Sequence, residues 1–131
     1  MLGRKKKQHI ILDFGTDHAV LVSRAHNLSQ MGYEVLSSSN GFEAIRLATH
    51  KEVDAVVLDL DRNHAEVTLV AREIKRFRPQ VPTILLTEGK APVDGAGQLA
   101  DALVSNRDNL GMLATALETV IAKVAAQDAT S

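Results

Sequence analysis

The segment DAVVLDLDRNH, residues 54–64, is an apolar run that ends in two carboxylates, Asp59 and Asp61, with Leu60 between them. Acids at the end of a buried run are either turn residues or groups held at a rim for chemistry, where one carboxylate can attack an electrophile and a second can move a proton. Two other apolar runs end in the same manner: HIILDF (9–14) carries Asp13, and PTILLT (82–87) closes on Thr87. A nucleophile, a second acid and a hydroxyl would then meet only if these three runs are parallel neighbours.

The rest of the chain supplies that arrangement. Short apolar runs rich in β-branched residues stand at 9–14, 33–37, 54–59, 82–87 and 101–105, each suited to a strand buried on both faces. Segments with helical spacing lie between them: Leu21, Ala25 and Leu28; Ala44, Ile45 and Ala48; Val67, Val70, Ala71 and Ile74; Leu110, Leu113, Leu117, Val120 and Val124. Strand alternating with helix predicts right-handed crossovers and a doubly wound, five-stranded parallel sheet of the α/β class. In such a sheet the ligand crevice lies beyond the carboxyl ends of the strands, where Asp13, Asp59 and Thr87 fall.

Length and composition bound the function. A chain of 131 residues fits one domain with one core. We expect a basic disordered tail at 1–8, the domain at 9–126 and a frayed tail at 127–131. No apolar run reaches the ~20 residues of a membrane span, and the start MLGRKKKQHIIL does not read as an export signal, so cytoplasmic localisation is expected. Without cysteine there are no disulfides or thiolate metal sites. Four of the 15 basic residues stand in GRKKK, leaving 11 against 16 acidic ones elsewhere. Such a tail could touch phosphates, but 3% aromatic content gives almost no stacking platform for single strands, and a nucleic-acid partner is not expected.

The stretch GYEVLSSSNGFEAIRLATHKEVDAVVLDLD (32–61) together with PTILLT (82–87) resembles the receiver domains of two-component response regulators, and the likeness extends loosely over the chain after residue 8. The resemblance implies a flavodoxin-like strand order 2-1-3-4-5. It also implies that Asp59 accepts a phosphoryl group from a histidine kinase or phosphotransfer protein and that Thr87 contacts that group. Magnesium would be held by Asp13, Asp59 and the backbone carbonyl of Asp61, with Asp17 as a further candidate ligand. The metal is needed because a carboxylate attacking an anionic phosphoryl group gains little until charge is neutralised.

Several positions depart from the family's pattern. Leu12 stands where a second acid is usual, which weakens the expected metal site. Ser105-Asn106 aligns with the usual Lys-Pro pair, so the cation there is expected to be missing. Ala102 replaces the usual aromatic residue, Glu88 replaces a small one, and EGKAPVDGAG (88–97) predicts a short or irregular fourth helix, since Gly and Pro disfavour helix interiors. The second reading is consequently a phosphorylation-independent pseudo-receiver that binds a protein or dimerises through strand five and helix five, where Met112, Ala116 and Ile121 flank the buried stripe. A remote third is an Asp-nucleophile phosphatase built on Asp59-Leu60-Asp61. The chain is not expected to be an enzyme.

Overall fold

The computed structural model describes residues 7–60, 64–89 and 95–130. Five strands and five helices alternate: β1 (Ile10–Phe14), α1 (His18–Gln30), β2 (Glu34–Ser38), α2 (Gly41–His50), β3 (Ala55–Asp59), α3 (His64–Phe77), β4 (Thr83–Leu86), α4 (Ala96–Leu99), β5 (Ala102–Val104) and α5 (Leu110–Thr130). All strand pairs are parallel and the order is β2-β1-β3-β4-β5, as expected. The central strand β3 is buried along its whole length, because helices cover both faces of the sheet.

Strand alternation sorts the side chains into two cores. Leu12, Phe14, Val56 and Leu58 point to one face, where Ala44 and Ala48 of α2 and Val67, Val70, Ala71 and Ile74 of α3 cover them. Ile11, Ala55, Val57, Ile84 and Leu86 point to the other, under Leu28 of α1 and Leu113, Leu117 and Val120 of α5. Asp13 and Asp59 have the odd-numbered parity of this second face. Their side chains therefore emerge beneath α1 and α5 rather than beneath α2 and α3.

Local chemistry sets the element ends. Asp17 caps α1 by accepting from the Val20 amide at 3.2 Å, and Asn40 caps α2 through the Glu43 amide at 3.0 Å. At the opposite rim, Asp54 accepts from the Ile10 amide and Asp101 from the Thr83 amide, both at 2.7 Å, which holds adjacent strands in register. The fourth helix is a single turn, as the composition of 88–97 predicts. It starts after Gly95, whose φ of 59° and close approach to Thr68 exclude other side chains.

Helix α5 continues to Thr130, through most of the segment expected to fray. By length and composition its Leu110–Asp128 stretch would pass for a membrane span, which the reading of apolar runs did not anticipate. Leu113, Leu117 and Val120 are buried against the sheet, the pattern of a core helix. Residues 1–6 of the expected tail lie outside the described residues, while Lys7 pairs with Glu52 at 2.7 Å.

Candidate functional site

Asp13 and Asp59 lie on adjacent strands at their carboxyl ends, and both are buried, at 0% and 1% exposure. Two like charges out of water would repel, and one would take up a proton, unless counter-charge is supplied. Arg24 of α1 supplies it. Its Nε donates to Asp13 Oδ2 at 2.8 Å, its Nη2 donates to Asp13 Oδ1 at 3.0 Å, and the same Nη2 reaches Asp59 Oδ2 at 3.2 Å. At 6% exposure, Arg24 is as much a core residue as its neighbours on the stripe, Leu21 and Leu28. Gly15 makes room for this contact: a Cβ there would stand 3.3 Å from Asp59 Cβ and 3.6 Å from Arg24 Nη2.

A second guanidinium approaches from the turn between β5 and α5. Arg107 Nη2 lies 3.2 Å from Asp59 Oδ1 and 3.3 Å from Oδ2, with its hydrogen directed at Oδ2. The cation expected to be missing at Ser105 is thus supplied by other residues, one on α1 and one two positions beyond Ser105. Asp59 Oδ1 is within ion-pair distance of Arg107 yet accepts no hydrogen bond from the described residues, so among them a lone pair of this buried oxygen is uncommitted. Burial raises the Asp13 carboxyl above the ordinary carboxylate range, against the opposing pull of Arg24. Hydrogen bonds to Asp13 raise the Arg24 guanidinium further, against its own desolvation. We take the pair as ionised at neutral pH, because a side-on fork matching both oxygens of Asp13 is the arrangement in which guanidinium and carboxylate stabilise each other most.

The other sequence candidates divide. Thr87 follows β4 one residue beyond Leu86, the register partner of Asp59, and is buried, with its hydroxyl at 3.5 Å from the Gly89 carbonyl. Asp17 is engaged as the cap of α1 and lines a cleft of about 300 Å³ with Ser23, Arg24, Asn27, Arg107 and Asp108. Asp61 lies outside the described residues. Leu12 is buried in the core on the other face, so even an acid at that position would need a different backbone path to join Asp13. Glu88 is exposed and bridges to Asn106, and Ala102 is half-buried against the α5 face.

The fit of a divalent ion can be judged from these contacts. Magnesium requires near-octahedral oxygen ligands at about 2.0–2.1 Å. Both oxygens of Asp13 and one of Asp59 are already committed to Arg24. Among the described residues no group of three His, Cys, Asp or Glu side chains could hold a metal. As arranged, the side chains fit a guanidinium rather than a metal ion.

Comparison with known proteins agrees with the fold. No family model matches the chain. The transcriptional regulatory protein GlrR of Escherichia coli K12 is 26% identical over 105 residues, covering 80% of this chain and 22% of the relative. The response regulator MprA of Mycobacterium sp. strain KMS is 29% identical over 116 residues, covering 88% and 49%. The chain therefore spans from about a fifth to about half of the length of these curated relatives. Among solved structures, a CheY-like receiver domain protein from Methanospirillum hungatei JF-1 has a TM-score of 0.82 at 22% identity, covering 92% of this chain and 99% of that one. The receiver domain of a sensor histidine kinase from Pseudomonas aeruginosa PAO1, which holds a magnesium ion in its active-site cleft, has a TM-score of 0.75 at 21% identity, covering 88% and 99%. The fold is that of the CheY-like receiver domains. The chain is similar in sequence to the receiver portions of two-component response regulators and shares the fold of the solved receiver domains.

Proposed function

We propose that Asp59 is the phosphoacceptor of this receiver domain, and the observation that carries the proposal is its uncommitted Oδ1 lone pair at the end of β3, flanked by two guanidiniums. In the proposed step Oδ1 attacks the phosphorus of a kinase or phosphotransfer phosphohistidine. The P–O bond forms as the P–N bond breaks, and the departing electron pair stays on the imidazole nitrogen, which takes a proton. Arg24 and Arg107 oppose the charge that develops, and Thr87 lies beside the product phosphoryl group. A magnesium ion would have to displace Arg24 from Asp13 and Asp59, and no part of the transfer is assigned to it. The chain acts as a cytoplasmic acceptor rather than an enzyme that turns over substrate, with residues 9–126 as the signalling unit.

Intact-mass measurement after incubation with a small acyl phosphate tests the assignment. Slow addition of one phosphoryl group to wild type and none to Asp59→Asn is expected. Labelling that persists in Asp59→Asn would place the acceptor elsewhere. A related expectation concerns Arg107: its removal in Arg107→Ala takes away a charge partner of the reacting oxygen and should slow labelling at least about tenfold. Faster labelling would mean that Arg107 obstructs the site more than it assists the chemistry.

Output is proposed to pass through the β5–α5 surface to a downstream protein or a second copy of the chain. Leu103 and Met112 are 47% and 41% exposed on either side of a shallow groove, which the single-turn α4 does not cover. Met112 is the more exposed of the flanking residues, since Ile121 packs partly against the core. Met112→Asp should therefore reduce self-association or partner capture in sedimentation runs while leaving Asp59 labelling unchanged. A monomeric wild type whose partner capture is equally unaffected by the substitution would remove this surface from consideration.

A further inference from the structure

A charge count at the strand ends leads to a property of the site that the receiver resemblance does not contain. Asp13 and Asp59 contribute two negative charges, Arg24 and Arg107 two positive ones, and the four groups form one connected set of contacts. We infer that Arg24 is the resident cation of this site: its guanidinium bridges Asp13 and Asp59 and occupies carboxylate oxygens that a divalent ion would need, so that the two acids are held together without metal.

Three observations support this role. The fork of Arg24 occupies both oxygens of Asp13 and one of Asp59, and a magnesium ion would have to take the same lone pairs at shorter range. The guanidinium is anchored, because Arg24 stands between Leu21 and Leu28 on the buried stripe of α1, and leaving the carboxylates would mean swinging into the cleft it lines with Arg107. Its charge is also permanent, since arginine does not lose its proton in proteins, so the counter-charge does not vary with metal supply or physiological pH.

The inference concerns the same site as the proposed phosphoacceptor, but its readout is metal binding and not phosphorylation, so either can fail alone. Manganese binding by water-proton relaxation, and thermal unfolding in millimolar magnesium against chelator, would be measured on wild type, Arg24→Lys, Arg24→Met and Asp13→Asn/Arg24→Met. Wild type and Arg24→Lys are expected to unfold at the same temperature with magnesium or chelator. Arg24→Met is expected to bind manganese at least about tenfold more tightly than wild type, equivalent to about 1.4 kcal/mol, and to gain thermal stability from magnesium. The double variant should lose that gain, because one of the two carboxylates is then neutral. If Arg24→Met folds only with magnesium present, that dependence itself supports the inference. Wild type binding manganese as tightly as Arg24→Met, or a wild-type melting temperature that falls in chelator, would overturn it whatever the variants do.

Discussion

Arg24→Met is expected to lower the unfolding free energy by about 3–5 kcal/mol, the cost of breaking a buried ion pair from one side. Methionine fills much of the same space and suits a helix, so packing and propensity contribute little to the loss. What remains is electrostatic: Asp13 loses both of its guanidinium hydrogen bonds, and Asp59 keeps only Arg107 among the described residues. Stability of most domains is only about 5–15 kcal/mol, so the variant should sit near the edge of folding. The loss should depend on pH in a definite direction. Burial already holds the Asp13 carboxyl above its ordinary range with Arg24 opposing, and without Arg24 it must rise further. A carboxyl raised in the folded state favours folding when protonated, so its penalty is full at neutral pH. That penalty should shrink as pH falls through the raised folded-state value toward the ordinary carboxylate range. Urea denaturation of both proteins at neutral and mildly acidic pH checks the sign. A deficit that grows in acid, or a loss below about 1 kcal/mol at neutral pH, would mean that Arg24 contributes little beyond what solvent provides.

Phe14→Ala should cost about 3–5 kcal/mol by a different route. Phe14 is the largest of the fully buried side chains and follows Asp13 on the same strand, but strand alternation points it into the opposite core, with Leu58 and the α2–α3 residues. Alanine would remove the ring from a region that two helices and three strands hold in place, and the void could close only in part. The expected observation is a lower urea midpoint with an unchanged slope. Manganese binding should stay as weak as in wild type, because the residue touches neither carboxylate-bearing face nor arginine. A loss under about 1.5 kcal/mol would show that the core relaxes to fill the space, as volume-tolerant interiors do.

The contrast between Phe14 and Arg24 marks what was legible beforehand. Asp59 stood out in the sequence because three apolar runs end in Asp13, Asp59 and Thr87 at one expected sheet edge, and because the run from Gly32 to Asp59 keeps the receiver spacing. The strand order was an expectation of the receiver resemblance, whereas the cores on both faces follow from alternation of strand and helix patterns and the single-turn α4 from the glycines and proline of 88–97, which act over a few residues. Arg24 left one trace: a charged residue three positions after Leu21 and four before Leu28, on the stripe where alanine was taken as the inward residue. Arg107 left none, since nothing local distinguishes an arginine in a turn.

The sequence by itself determined the α/β fold, the placing of Asp59 at the end of a buried strand and the absence of an acid at Leu12 and of a lysine at Ser105. Only the tertiary structure decided that Asp13 rather than Asp17 joins Asp59, because Asp17 caps α1 while Asp13 shares the face of Asp59. It also decided that the lost cation is replaced from α1 and from the β5–α5 turn. The physical reason is range. Periodicity and capping act between neighbours along the chain, whereas counter-charge for a buried carboxylate is set by whichever side chains the packed helices bring within about 4 Å, and those lie 35 and 48 residues away in sequence from Asp59.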